Sequence, residues 1–117
     1  MFVDPDDSLF PESLPKIIEC IKESHKDLII LRSFYDNSSN EIFAWNNGIK
    51  CDTIYTGIEA YNNGYTRGSI WGVVYSKDFL LANDLRFPLN IKNSEDAIFF
   101  MLCQIKAKRV QFSDIKT

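Results

Sequence analysis

Three carboxylates fall within four residues near the start of the chain, in Phe2-Val3-Asp4-Pro5-Asp6-Asp7. Asp is a poor strand former and costly to bury. A short apolar strand, Phe2-Val3, that ends in such a cluster reads as a strand edge where the chain turns into a site. Hard cations take several oxygen ligands, and an Asp-x-Asp spacing lets two carboxylates converge on one Mg²⁺ or Mn²⁺. An ion held this way keeps some waters and completes its shell from a substrate phosphate. The same acidic run also suits a solvated turn that binds nothing.

A second group of chemistry-bearing residues lies far along the chain. Glu95 and Asp96 follow Ser94 in the first turn of a predicted helix, where the helix dipole keeps a carboxylate ionised and ready to accept a proton. Acidic residues are favoured in any first turn, so a purely structural role fits as well. Trp71 has an indole able to stack on the apolar face of a pyranose, and it equally suits a buried strand. Gly68 and Gly72 flank it and allow close backbone approach to a ligand, or else a turn and a bulge. His25, the only histidine, follows a helix end, where the C-terminal dipole accounts for it. Tyr55, Tyr61 and Tyr65 near Gly64 suit packing, with a ligand-facing loop as the alternative.

Two stretches carry a family resemblance. Phe2-Val3-Asp4-Pro5-Asp6-Asp7 is similar to the Asp-x-Asp stretch of family 2 glycosyltransferases, in which an apolar pair precedes Asp-Ser-Asp-Asp. Pro5 stands where Ser or Ala is common, at a position whose side chain is not a ligand. The run from Arg67 through Trp71-Gly72-Val73-Val74-Tyr75-Ser76-Lys77-Asp78-Phe79-Leu80, then Leu85-Arg86-Phe87-Pro88, then Glu95-Asp96, resembles the later half of the same domain in order and spacing. The resemblance covers nearly all of this chain and only the later part of the family's domain. The half that holds the base and ribose would precede Met1.

The resemblance implies a partial GT-A fold, the nucleotide-diphospho-sugar transferase-like arrangement. It implies transfer of a sugar from a nucleotide-diphosphate donor to a hydroxyl of a glycan or lipid-linked acceptor, with inversion. Asp96 would be the general base, with Glu95 its orienting neighbour. Asp4 and Asp6 would serve the donor, and Asp6, Asp4 and Asp7 the Mg²⁺ or Mn²⁺. Trp71, Gly72 and Glu95 would meet the acceptor. Surface polysaccharide or glycan synthesis is the implied setting. Two other readings use the same residues. One is a non-catalytic transferase-like fragment or interaction module without the donor half. The other is a metal-dependent hydrolase or phosphotransferase, which lacks a visible nucleophile or phosphate loop.

The elements that must position these groups follow from pattern. Leu14, Ile17, Ile18 and Ile21 recur at helical spacing and predict a helix from Pro11 to Ser24, capped by Ser13, with this stripe in the core. Asp27 to Tyr35 is a continuous apolar run and predicts a buried strand. A turn at Asp36–Asn40 and a strand from Glu41 to Trp45 make a hairpin, closed by Asn46-Asn47-Gly48. Asp52 suits the cap of a helix with Ile54, Ile58 and Tyr61 on one face, stopped by Asn62-Asn63-Gly64. Ser69 to Tyr75 predicts a strand, and Ser76 caps a short helix from Lys77 to Ala82. Ser94 caps the last helix, with Ile98, Met101, Leu102 and Ile105 inward and Lys106 and Lys108 at its C-terminal end. Arg109 to Phe112 is a final strand. Alternating helices and strands give the class α/β, a mixed sheet with flanking helices.

Composition narrows the classes further. With 117 residues the chain makes one domain, residues 1–117, and 45 % hydrophobic content marks it as globular. A formal net charge of −3 leaves no basic footprint for nucleic acid. Cys20, Cys51 and Cys103 are odd in number and widely spaced, which reads as small buried hydrophobes in a reducing compartment. No run approaches the ~18 apolar residues of a membrane span, and no signal-peptide pattern is present. The expected place is the cytoplasm, with peripheral contact at the inner face of a membrane open. An apolar edge strand at Phe2-Val3 would favour pairing with another copy, a homo-oligomer.

Overall fold

The computed structural model describes residues 1–23, 25–34, 40–42, 44–45 and 48–117. Leu28–Phe34 forms β1, the middle of a five-stranded mixed sheet. Its residues alternate between two buried faces, so an uninterrupted apolar run is what the position demands. Leu28 and Ile30 enter the larger core, while Ile29 and Leu31 enter a smaller one on the opposite face. On one side β1 runs parallel to β5, Val110–Lys116. On the other it pairs antiparallel first with β4, Val73–Tyr75, and then with β2, Glu41–Ile42. β3, Ile54–Tyr55, closes the far edge antiparallel to β5. The Arg32 guanidinium ties β1 to both neighbours, reaching Glu41 at the start of β2 at 2.7 Å and Asp114 in β5 at 2.6 Å.

Helices cover both faces. On one, α1 (Ser13–Lys22) packs Ile17 and Cys20 against Ile29 and Leu31. On the other lie α2 (Gly57–Asn62), α3 (Lys77–Ala82) and α4 (Glu95–Lys106), over a core of Leu28, Ile30, Val73, Val110 and Phe112. Local signals place several of these. The Ser76 side chain accepts from the Phe79 N–H and starts α3. Asn63 ends α2, and Gly64 follows in the left-handed region at φ 81°. The predicted strand from Asp27 and the hairpin with Glu41–Ile42 are both present. The turn predicted at 36–40 falls largely outside the described residues, as do Ser24, Tyr35, Phe43 and Asn46-Asn47. Among the described residues no helix is long and apolar enough to cross a membrane.

Several expectations are corrected. Phe2-Val3 forms no strand, so it offers no edge for pairing. Ser13 does not cap α1. It is the first helical residue, buried, and its hydroxyl donates to the Lys116 carbonyl at 2.6 Å. The α1 stripe is split: Ile17 is core, while Leu14, Ile18 and Ile21 are exposed. Asp52 caps no helix, because its φ is 56° and its carboxylate accepts from Gln111 at 2.9 Å. Ile54 and Tyr55 are strand instead, and α2 starts from a capping box between Thr56 and Glu59. Ser69–Gly72 is a turn leading into β4. Ser94 precedes α4 in the left-handed region, at φ 66°, and its side chain makes no capping bond. The inward face of α4 is Phe99, Phe100, Cys103 and Gln104, whereas Met101, Leu102 and Ile105 face solvent. Of the cysteines, Cys20 and Cys103 are buried and Cys51 is half-buried. Tyr65 is core, Tyr55 half-buried and Tyr61 exposed.

Candidate functional site

Phe2 anchors the acidic stretch. Its ring meets Phe87 at 5.4 Å, Tyr75 at 5.6 Å and Phe99 at 6.1 Å, each edge to face. Edge-to-face aromatic contacts of this kind add to plain area burial. Phe99 lies on α4 one turn beyond Asp96, so seating Phe2 there brings Asp4 to the start of α4. Pro5 follows at the second position of a turn, and the Asp7 N–H donates to the Asp4 carbonyl at 3.0 Å. All three carboxylates of the stretch are solvent-exposed.

The two distant sequence groups meet at Asp4. The Trp71 indole N–H donates to Asp4 Oδ2 at 3.1 Å, across 67 positions of sequence. Asp96, half-buried, has its carboxyl held above the ordinary value of 3.8, first by burial, then by the negative charges of Glu95 and Asp4. Gly72 presents Trp71. Its φ of 61° turns the chain into β4, and a side chain there would overlap Ser33 Oγ. Its carbonyl accepts from Leu31 N–H at 2.8 Å, which fixes the turn to β1. Trp71 itself remains 37 % exposed, so it is not the core tryptophan; Trp45 holds that place at 4 %.

A shallow cleft opens beside this cluster, lined in part by Asp7, Ser8, Ser33, Phe34, Trp71 and Thr117. It sits at the carboxyl ends of the parallel strands β1 and β5, where ligands of open α/β sheets bind. Trp71 is common to both features: its ring lines the cleft and its nitrogen meets Asp4.

The structure thus brings together Asp4, Trp71, Glu95 and Asp96, with Gly72 in support. Asp6 and Asp7 stand on the adjoining turn. No described contact joins Asp6 to Asp96. Among the described residues no group of three or more His, Cys, Asp or Glu side chains could hold a metal ion. The carboxylates of the stretch therefore make no protein-only cage. Their oxygen chemistry still suits Mg²⁺ or Mn²⁺ that takes one or two carboxylates and fills its shell from water and phosphate. Gly68 has open space where a side chain would stand, so no close approach demands it. His25 is exposed and remote from the cluster's described contacts. Sequence reasoning missed Phe2, Phe87 and Phe99 as the anchor. The one available signal was an aromatic residue directly before the acidic run.

The fold and site define an α/β chain with a mixed sheet, helices on both faces, and a carboxylate–tryptophan cluster beside a cleft at its strand ends. Comparison with protein-family models, with curated proteins and with solved structures finds no match.

Proposed function

We propose that the chain is the acceptor-side portion of a GT-A-type domain resembling family 2 glycosyltransferases. It would act in transfer of a sugar, with inversion, from a nucleotide-diphosphate donor to a glycan or lipid-linked hydroxyl. The observation that carries this reading is the hydrogen bond from Trp71 to Asp4, whose charge in turn bears on Asp96. The two stretches that separately resemble the family converge on one place.

Asp96 is assigned as general base. A carboxylate held above its ordinary value is a better proton acceptor near neutrality than an unperturbed one. It takes the acceptor hydroxyl's proton as that oxygen bonds to the anomeric carbon. The bond from that carbon to the diphosphate breaks, and the nucleoside diphosphate leaves. Glu95 keeps the Asp96 proton affinity high, and Trp71 offers its ring to the acceptor sugar. Asp6 and Asp7, with Asp4, would hold Mg²⁺ or Mn²⁺, whose charge supports the departing diphosphate. In the resembling family the base and ribose are held by units upstream of the Asp-x-Asp stretch. Glycan synthesis in the cytoplasm or at the inner face of a membrane is the setting this reading carries.

Calorimetric titration with UDP, with and without Mn²⁺, tests it. The expected result is Mn²⁺-dependent binding that disappears in Asp6→Ala. Absence of binding both here and in a chain extended upstream of Met1 would overturn the reading and leave a non-catalytic module.

A further inference from the structure

α4 is apolar on two opposite faces. Phe99, Phe100 and Cys103 enter the core, while Met101, Leu102 and Ile105 stand open at 51 %, 42 % and 53 % exposure. Half-buried Ile98 continues that outer row. Positions 98, 101, 102 and 105 form one stripe at helical spacing, as wide as a packing face needs. A helix apolar all round belongs in an interior, and a contiguous exposed apolar row marks an interaction surface.

The charges bordering this stripe name the occupant. Glu95 lies in the first turn of α4 and Lys106 in the last. Roughly three full turns separate them, so they fall on the same flank of the stripe. If a second α4 packs antiparallel across the stripe, Glu95 meets Lys106 of the second copy, and two-fold symmetry repeats the pair. Within an offset of about two residues, the same operation sets Ile98 opposite Ile105 and Met101 opposite Leu102. A parallel two-fold pairing would put this flank of each helix on opposite sides of the seam, so neither Glu95 nor Lys106 would meet its complement. An anionic membrane would meet Glu95 at one end of the stripe, on a chain of formal net charge −3.

We propose that the outer face of α4 is self-complementary and that the chain forms an antiparallel homodimer through it. The dimer is independent of whether the chain transfers a sugar.

Light scattering coupled to size exclusion, run from low micromolar to near-millimolar protein, tests this. The mass should rise from 13.5 kDa towards twice that value. The double change Met101→Glu with Ile105→Glu, at solvent-facing positions, should keep the chain monomeric with an unchanged far-ultraviolet spectrum. Glu95→Lys or Lys106→Glu alone should weaken the dimer about tenfold. The two together should restore it, although each opposes the helix dipole within its own chain. A monomer at every concentration would overturn the proposal. So would a dimer that survives the double Glu change, or a combined charge swap that restores nothing.

Discussion

At the residue scale, Asp96 carries a consequence that needs no substrate. Its folded-state pKa lies above the ordinary value, so the folded chain binds its proton more tightly than the unfolded one. The associated stabilisation is fully present below the unfolded pKa and is lost as pH rises through the folded one. At neutral pH the ionised carboxylate therefore weighs against the fold. Asp96→Asn should raise the thermal midpoint at neutral pH and change it little below the carboxylate range. Asp4→Asn should lower the Asp96 titration midpoint, read from carboxyl-carbon NMR shifts, because it removes one of the like charges. A neutral-pH loss of stability in Asp96→Asn, or an unmoved midpoint in Asp4→Asn, would contradict this account. Trp71 matters here as the donor that orients Asp4.

At the element scale, the contact of α2 with α4 depends on one missing side chain. Gly57 opens α2, and a Cβ there would overlap the backbone carbonyl oxygen of Gln104. Its N–H also donates to the Ala107 carbonyl at 2.8 Å, joining the start of α2 to the end of α4. The obstruction is backbone, so the two helices must separate to accept a methyl group. Gly57→Ala should cost about 2 kcal/mol in urea unfolding, against the usual benefit of Ala over Gly in a helix. A neutral or stabilising result would mean that the helices slide apart freely. The Gln104 side chain adds to the same junction by donating to the buried Tyr65 carbonyl at 2.7 Å.

At the scale of the whole molecule, β1 is the strand on which every layer rests. Residues Leu28 to Ile30 pair with β4 on one side and β5 on the other, and both of their faces are buried. β3 pairs on one side only, through two residues, and Ile54 is exposed. Amides of Leu28–Leu31 should exchange with solvent hydrogen only through global opening, while those of Ile54 and Tyr55 exchange through local fraying. Exchange followed by NMR checks this, and equal rates in the two strands would refute it. The cleft at the strand ends has Ser33 and Phe34 of β1 in its wall, beyond this doubly paired segment.

Sequence alone determined what depends on a few neighbouring residues. The Ser76 cap of α3, the stop at Asn63-Gly64, the apolar run of β1 and the hairpin to Glu41 each use information contained within one turn or one strand. The α/β class follows from their alternation. Tertiary structure decided whatever required choosing between equivalent surfaces. α4 is apolar on both sides, so periodicity offers Ile98, Met101, Leu102 and Ile105 as readily as Phe99, Phe100 and Cys103. The sheet selects the aromatic face, which stacks Phe99 on Phe87 at 4.2 Å. Ile54 and Tyr55 have helical spacing with Ile58, yet β5 offers them strand partners, and the capping box at Thr56 starts the helix two residues later. Asp52 was given up to Gln111 for the same reason, since a partner on β5 competes with a local cap. The site shows this division most plainly. The candidate residues were legible as residue types and spacing. That Asp4 reaches Trp71 and bears on Asp96 came only from Phe2 finding its aromatic seat, a contact between segments that no local pattern encodes.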